Sequence, residues 1–248
     1  MPLLEIKNLT KSFGDTTILS DLSFSVEKGE VIVILGASGC GKSTLLRCIN
    51  ALEPFESGEI RLNGELISRE SKDIHLVRQK IGMVFQSYDL FPTMTVLNNI
   101  LLGPLKAQKR DKAEVSAQAE KLLERVGLLD KKNVYPKELS GGQKQRVAIV
   151  RALCMNPEVL LFDEVTAALD PEMVREVLDV VMDLAKEGRT MLIVTHQLEF
   201  ARAVADKIIF LDSGKIAEVS TPEEFFTEPK SERGKKFLAN FTFESRKK

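Results

Sequence analysis

Residues 36–43 read GASGCGKS, a pattern of glycine, lysine and serine that can hold a phosphate group. The segment fits G-x-x-x-x-G-K-[ST] at every fixed position, and it directly follows the apolar run VIVILG at 31–36. Glycines let the backbone curl until its N–H groups face an anion, and a following helix points its positive end at the same place. An accidental glycine-rich turn is the alternative, and average composition gives such a match in roughly one chain in a hundred of this size.

The residues of this loop have different expected roles. Lys42 is expected to reach the β- and γ-phosphates of a nucleotide, and the Ser43 hydroxyl to bind Mg²⁺. Thr44 is expected to open the helix TLLRCIN, while Cys40 stands at a variable position and receives no catalytic role. The residues expected to contact the nucleotide here are Gly36, Ala37, Ser38, Gly39, Cys40, Gly41, Lys42, Ser43 and Thr44.

Two adjacent carboxylates end another apolar run, VLLFDE at 159–164. A strand that meets solvent could end in acids simply because they are soluble. A phosphate loop elsewhere in the chain favours a second interpretation, in which Asp163 holds Mg²⁺ through water. Glu164 would then lie on the γ-phosphate side, where a carboxylate can polarise an attacking water.

A third segment, LSGGQKQR at 139–146, places a serine and two glycines before a helical pattern. Such a helix start can bind an anion, although a plain serine-capped helix is a common alternative. A chain with one phosphate loop does not need a second for the same nucleotide. We therefore expect this segment to serve a nucleotide held by another copy of the chain, through Ser140, Gly141, Gly142 and Gln143.

The elements that must position these residues follow from periodicity. Alternating polar and apolar residues predict antiparallel strands in LLEIKNL and LSDLSFSVEKGE, and GEIRLNGE adds a strand with a turn at Asn63-Gly64. Apolar runs predict buried strands. They are VIVILG, IGMVFQ, VLLFDE, TMLIVTH and KIIFLDSGK. Helical spacing dominates from about 87 to 134, and an amphipathic helix, MVREVLDVVMDLAKEG, separates VLLFDE from TMLIVTH.

Strands that alternate with helices predict an α/β fold with a mostly parallel core sheet. We expect one domain over 1–248, with an N-terminal antiparallel β subdomain and a helical subdomain. Its core would comprise 1–86 and 135–248, and its helical subdomain 87–134.

Composition excludes several classes of protein. Charged residues make up 29% of the chain but nearly cancel to a net charge of -1, which argues against a nucleic-acid partner. Three cysteines at 40, 48 and 154 suggest free thiols in a reducing compartment. No run approaches the ~20 apolar residues that span a bilayer, and the N-terminus lacks the order of a signal peptide. We expect a cytosolic chain with a solvated RKK tail at 246–248.

The order of these motifs resembles the ATP-binding subunits of ABC transporters along essentially the whole chain. The matching segments are the loop at 36–43, Gln86 at a strand end, LSGGQ at 139–143, LLFDE at 160–164, ALD at 168–170 and His196 after LIVT. The resemblance implies the P-loop NTPase fold, ATP and Mg²⁺ as ligands, and a homodimer. Two copies would pack head to tail with ATP between the loop of one and the SGGQ segment of the other.

The resemblance also implies roles for single residues. Phe13 would stack on adenine, with a core aromatic as the alternative, and Gln86 would sense Mg²⁺ and the attacking water. Asp170 would communicate across the dimer, and His196 would contact the γ-phosphate. The residues implied to act in hydrolysis are Glu164, His196, Gln86 and Lys42, and those implied to bind the metal are Ser43, Gln86 and Asp163. The other histidine, His75, matches no motif, and we expect it on the surface.

A membrane partner is implied as well. The segment SYDLFPTMTV after Gln86 resembles the surface that receives an integral-membrane permease, and this partner would place the chain on the cytoplasmic face of the membrane. A periplasmic or extracellular solute-binding protein would take part indirectly. The side chains suited to docking are Tyr88, Leu90, Phe91 and Met94, and ordinary packing in the helical subdomain is the alternative.

Longer segments, including PEEFFTEPKSERGKKFL near the C-terminus, resemble subunits of polar amino acid importers. This assignment rests on analogy alone. The alternatives are the ATPase of another importer or exporter, a non-transport ABC ATPase, and a nucleotide-binding switch without turnover. Two positions depart from the family pattern DEPTSALD, because Val165 replaces proline and Ala167 replaces serine. Neither change removes a carboxylate, so we expect hydrolysis to survive with altered coupling or dimer closure.

Overall fold

The computed structural model of the chain describes residues 1–67 and 73–240. These residues form two compact units, one with residues 1–67 and 192–240 and the other with residues 73–191. The predicted RKK tail at 246–248 lies outside the described residues.

The helices and strands run in the following chain order. The first unit begins with β1 (Leu4–Phe13), β2 (Thr16–Val26), β3 (Val31–Gly36), α1 (Lys42–Ile49), β4 (Ser57–Leu62) and β5 (Glu65–Leu66). The second unit contains α2 (Ile74–Lys80), β6 (Ile81–Val84), α3 (Val96–Lys106), α4 (Lys112–Arg125), α5 (Gly141–Cys154), β7 (Val159–Asp163) and α6 (Pro171–Lys186). Strand β8 (Thr190–Val194) crosses the division in sequence, and the first unit ends with α7 (Leu198–Val204), β9 (Lys207–Asp212), β10 (Lys215–Ser220), α8 (Pro222–Thr227) and α9 (Glu232–Ala239).

The N-terminal strands form an antiparallel sheet in the order β2-β1-β4-β5. Leu4 and Ile6 of β1 are buried and face the core, as the alternating pattern predicts. Leu9 is also buried, but it follows a shift in the pairing register between Ile6 and Leu9. Asn63 and Gly64 have φ angles of 52° and 80°, and these left-handed conformations make the tight turn that the dipeptide predicts between β4 and β5.

Strand β3 is buried along its whole length and pairs in parallel with β9. Strand β9 also pairs with β10, in the antiparallel sense. The single strand predicted at 207–215 is therefore two strands. Ser213 and Gly214 adopt φ angles of 48° and 76°, so the chain reverses after Asp212 instead of continuing.

The second unit joins a parallel strand pair, β6 and β7, to packed helices. Helices α3, α4 and α5 share a core of buried aliphatic side chains that includes Val96, Ile100, Val115, Leu123 and Val147. Thr95 and Asp111 cap α3 and α4, which is why both helices begin where they do.

The predicted α/β class is confirmed, with parallel strand pairs, an N-terminal antiparallel sheet and helices. The predicted boundaries of the core and of a helical subdomain at 87–134 stay a prediction. Among the described residues, no helix is both long and apolar enough to cross a membrane.

Candidate functional site

The predicted phosphate loop connects the end of β3 to the start of α1. Gly41 has a φ of 102°, and a Cβ at this position would lie 2.6 Å from Cδ2 of Leu19. Gly39 also has a positive φ, 78°, but faces open space. Because a residue with a Cβ is strained at positive φ, the loop needs glycine at both positions to keep its curled path.

Lys42 is the first residue of α1, and its ammonium group turns back into the loop. Lys42 is only 4% exposed, and its Nζ donates to the carbonyl oxygens of Gly36 and Ala37, each at 3.0 Å. A buried cation needs such partners, and a phosphate oxygen would be a stronger one than a neutral carbonyl. The helix begins two residues before the predicted start at Thr44, because the N–H of Leu45 already donates to the carbonyl of Gly41.

Cys40 belongs to the loop but carries no sign of reactivity. Its backbone N–H donates to the carbonyl of Ala37 at 3.3 Å, and its side chain is buried. Burial raises the pKa of the Cys40 thiol above its ordinary value, although the nearby charge of Lys42 opposes this shift. A thiol that stays protonated is a poor nucleophile. Ala37, Ser38 and Gly39, in contrast, are exposed.

Phe13 ends β1 beside the hairpin turn and is 49% exposed. The ammonium nitrogen of Lys11 lies 4.3 Å from the ring centroid, and Lys11 also pairs with Glu56 at 3.5 Å. An exposed ring with a cation against it is not a core aromatic. Stacking on adenine stays a prediction.

His196 is the second residue after β8 and is exposed. The turn around it is held by Thr195, whose Oγ1 accepts the N–H of Gln197 at 3.0 Å just before α7 begins. Its contact with a γ-phosphate stays a prediction. His75 is exposed on α2, as predicted.

The paired acids occupy the end of β7 in the second unit. Asp163 is 5% exposed and completes a strand whose five residues are all buried. Glu164 leaves the strand with a φ of 48°, which is uncommon for a residue with a side chain. The N–H of Ala167 donates to the carbonyl of Glu164 at 3.0 Å and closes the turn. This sharp turn sets the direction of Glu164 independently of the strand.

The two departures from the family pattern lie inside this turn. Val165 is buried with 5% exposure, whereas Ala167 is exposed. Asp170 follows as the N-terminal flanking residue of α6, and its side chain makes no capping hydrogen bond. Its carboxylate is exposed and is therefore available to a partner.

Ser140 begins the LSGGQ helix, α5, with a reciprocal cap. Its Oγ accepts the N–H of Gln143 at 3.2 Å, and Oε1 of Gln143 accepts the N–H of Ser140 at 3.0 Å. The plain serine cap is thus present, and it does not exclude an anion at the same helix start. The N–H of Gly142 donates to Sδ of Met173 at 3.4 Å. A thioether is a weak acceptor, so a phosphate oxygen would be a better partner for this N–H.

Gln86 follows β6 and is exposed. Tyr88 and Asp89, just beyond it, have φ angles of 61° and 50°. The Arg151 guanidinium on α5 donates to the carbonyls of both residues. Burial lowers the pKa of Arg151 below its ordinary value, and the charge of Asp89 opposes this shift. Arg151 therefore holds the chain that follows Gln86, a role that sequence reasoning missed.

The predicted docking segment is partly packed and partly open. Leu90 packs against the helical core, whereas Phe91 is 47% exposed. Asn99 of α3 is fully buried beneath the segment and bonds both the N–H and the carbonyl of Phe91, at 2.7 and 3.1 Å. Tyr88 and Met94 are half-buried. The segment is thus a fixed loop with one exposed aromatic ring, and its docking role stays a prediction.

Comparison with known proteins identifies close relatives. The family model described as "ABC transporter" matches residues 19–167. The glutamine transport ATP-binding protein GlnQ of Bacillus subtilis and the glutamate/aspartate import ATP-binding protein GltL of Escherichia coli are each 52% identical over 237 residues, which cover 96% of this chain and 98% of the relative. The L-cystine import ATP-binding protein TcyC of B. subtilis is 53% identical over 240 residues, 95% of this chain and 97% of TcyC.

Solved structures agree in fold. The structure of cbiO1 from Clostridium perfringens, part of the ABC transporter complex cbiONQ, has a TM-score of 0.82 at 33% identity and covers 92% of this chain and 91% of that chain. The dimeric post-hydrolysis structure of the ATP-binding cassette MJ0796 with ADP and Pi has a TM-score of 0.78 at 33% identity, covering 88% of this chain and 98% of that chain.

Proposed function

The chain belongs to the ABC transporter family, and from this premise we propose that it is the ATP-binding, ATP-hydrolysing subunit of an importer of polar amino acids. One observation carries the assignment to import. Relatives named for glutamine, glutamate/aspartate and cystine each align with at least 95% of this chain at 52–53% identity. The buried Lys42 in an intact phosphate loop supports the ATPase activity.

In this proposal the first unit binds the nucleotide. The backbone N–H groups of the loop at 36–43 surround the β-phosphate, and the Lys42 ammonium exchanges its two carbonyl partners for phosphate oxygens. Phe13 stacks on adenine, and its exposed position at the end of β1 suits that role.

The donor chemistry fits Mg²⁺. Ser43, Gln86 and Asp163 offer a hydroxyl, an amide and a carboxylate, and Mg²⁺ prefers oxygen ligands. Within the described residues no group of three or more His, Cys, Asp or Glu side chains could hold a metal by itself. Mg²⁺ in nucleotide sites commonly takes several of its ligands from substrate phosphates and water. When bound, Mg²⁺ neutralises charge on the phosphate oxygens.

Glu164 acts as the general base in hydrolysis. Its carboxylate takes a proton from water while the water oxygen attacks the γ-phosphorus, and the bond to the β–γ bridging oxygen breaks to release ADP and phosphate. Gln86 orients the water, and His196 contacts the γ-phosphate. Lys42 and the loop amides stabilise the developing charge.

A second copy of the chain completes the site. Ser140, Gly141, Gly142 and Gln143 of one copy contact the ATP bound by the other, and Asp170 communicates across the dimer. For this contact, the N–H of Gly142 exchanges the Met173 sulfur for a phosphate oxygen. The exposed carboxylate of Asp170 supports a role at the interface.

Closure of the dimer then moves a permease that docks on the segment with Tyr88, Leu90, Phe91 and Met94. The chain works at the cytoplasmic face of the membrane, and a solute-binding protein delivers the amino acid to the permease from outside. The loop held by Arg151 and Asn99 suits such docking because it presents Phe91 on a fixed backbone.

Reconstitution tests this function most completely. The chain is assembled in proteoliposomes with its co-encoded permease and solute-binding protein, and phosphate release is measured with a panel of amino acids. We expect a polar amino acid to stimulate ATPase activity and to accumulate in the vesicles. Stimulation only by non-amino-acid solutes would contradict the substrate class, and absence of phosphate release would contradict the ATPase.

A further inference from the structure

The C-terminal helix α9 is firmly anchored in the first unit. Glu218 of β10 is 6% exposed and accepts the N–H groups of Lys230 and Ser231, at 3.0 and 2.8 Å, just before α9 begins. Burial disfavours ionisation of Glu218, but these N–H donors hold its pKa below the ordinary value. The ring of Phe237, near the end of α9, lies 5.2 Å from that of Phe210 on β9. Both ends of the helix are therefore fixed on the β9–β10 pair.

This anchoring brings two cations of α9 to the phosphate loop. A small cavity of about 70 Å³ is bordered by Ala37 of the loop, by Asp212 at the end of β9, and by Arg233, Lys236 and Asn240. The guanidinium of Arg233 lies 2.8 Å from Oδ1 of Asp212. The exposed Lys236 borders the same space.

Asp212 presents a problem for a loop that binds an anion. Strand β9 pairs with β3 so that Leu211 lies beside Gly36, and the next residue, Asp212, borders the same cavity as Ala37 of the loop. Burial is the main cause that raises the pKa of Cys40 in the loop, and the negative charge of Asp212 adds to it. The hydrogen bond from Arg233 lowers the pKa of Asp212, so the carboxylate stays ionised. An uncompensated carboxylate at this position would repel a triphosphate.

We propose that α9 is an electrostatic part of the nucleotide site, in which Arg233 neutralises Asp212 and Lys236 adds a cation beside Ala37, so that both raise the affinity for ATP. The proposal rests on the ATP-binding function proposed above. Arg233 acts through Asp212 and is a positioning residue. The cavity is too small for a second nucleotide. In this proposal Arg233 and Lys236 therefore act on the ATP that is bound by the loop at 36–43.

Binding of MgATP to the full chain tests this role, with affinity measured by calorimetry at low and high salt. We expect Arg233→Gln to weaken binding by about threefold to tenfold at low salt, and we expect high salt to shrink the effect because salt screens exposed charges. Asp212→Asn in the same chain should restore the affinity, since it removes the charge that Arg233 masks. Lys236→Gln should also weaken ATP binding. Adding Asp212→Asn to the Lys236→Gln variant should restore much less of the lost affinity.

Lys235→Gln is the matched control. Lys235 lies on the same helix and pairs with Glu232 at 2.8 Å, but it does not border the cavity. The Lys235→Gln variant loses the same single positive charge and should bind ATP with the affinity of the parent. Equal affinity of Arg233→Gln and the parent at low salt would overturn the proposal. So would a loss that Asp212→Asn fails to rescue, because that result indicates a displaced helix.

Lys42→Ala separates this proposal from the proposed function. If the parent binds ATP and Lys42→Ala does not, but Arg233→Gln is unchanged, only the role of α9 fails. If the parent itself binds no ATP, the proposed function fails.

Discussion

The ammonium nitrogen of Lys42 lies 3.0 Å from the carbonyl oxygen of Gly36, inside the loop that it is expected to close around a phosphate. The carbonyl of Ala37 holds the same nitrogen at 3.0 Å. The cation is thus already oriented toward the centre of the loop. A phosphate that enters has only to replace two neutral acceptors, so little reorganisation is needed.

Lys42→Ala should abolish ATP binding and turnover, because it removes a buried cation that points into the loop. Lys42→Arg should also bind poorly, since the wider guanidinium does not fit between the carbonyls of Gly36 and Ala37. Calorimetry with MgATP measures both, and the exposed Lys28→Ala is the control. Parental ATPase activity in Lys42→Ala would refute the phosphate-loop assignment.

The two glycines of the loop should differ in their effect on folding. Gly39→Ala should lower the free energy of unfolding by about 1–2 kcal/mol, since strain at its φ of 78° is the only penalty. Gly41→Ala should cost roughly 2–4 kcal/mol, because the new methyl group also meets Leu19. Chemical denaturation without nucleotide measures both values. A smaller loss for Gly41→Ala than for Gly39→Ala would contradict the loop geometry.

Arg151→Met should release the chain that follows Gln86. It removes hydrogen bonds to Tyr88 and Asp89, and we expect faster hydrogen exchange at residues 86–91 and a stability loss of about 1–3 kcal/mol. In Arg151→Met, the stimulation of ATPase activity by the permease should fall further than the basal ATPase activity. Arg175→Met is the control, because its side chain is 86% exposed on α6. Unchanged exchange at 86–91 would show that Arg151 does not hold this loop.

The elements and motifs of this chain were predictable because each has a local cause. The apolar run at 31–36 became β3, and Ser140 caps α5 as its position before two glycines suggests. The predicted end of the strand at 207–215 is wrong, because Ser213 adopts a positive φ and starts a turn, which a serine does not signal in the sequence. Arg151 was missed because its partners, the carbonyls of Tyr88 and Asp89, carry no sequence signal.

Restoring the family residues at 165 and 167 should have a modest effect on basal phosphate release. Val165→Pro fixes φ and removes an N–H, and Ala167→Ser adds a hydroxyl at an exposed position. Because the hydrogen bond from the N–H of Ala167 to the carbonyl of Glu164 is a backbone one, Ala167→Ser leaves it in place, whereas Val165→Pro also restricts the backbone of Glu164. The double variant should keep basal phosphate release within about severalfold of the parent, since neither change replaces a charged group. A very large gain would show that Val165 and Ala167 impair hydrolysis.

Glu164→Gln tests the central claim most directly, because it removes the base but keeps the size of the side chain. Light scattering of this variant with MgATP should give twice the 27.7 kDa mass of one chain, whereas ADP should leave single chains. Phosphate release should fall by about 10²–10⁴-fold, in line with the loss of a general base. A single-chain mass at saturating ATP, with binding confirmed by calorimetry, would contradict an ATP-sandwich dimer.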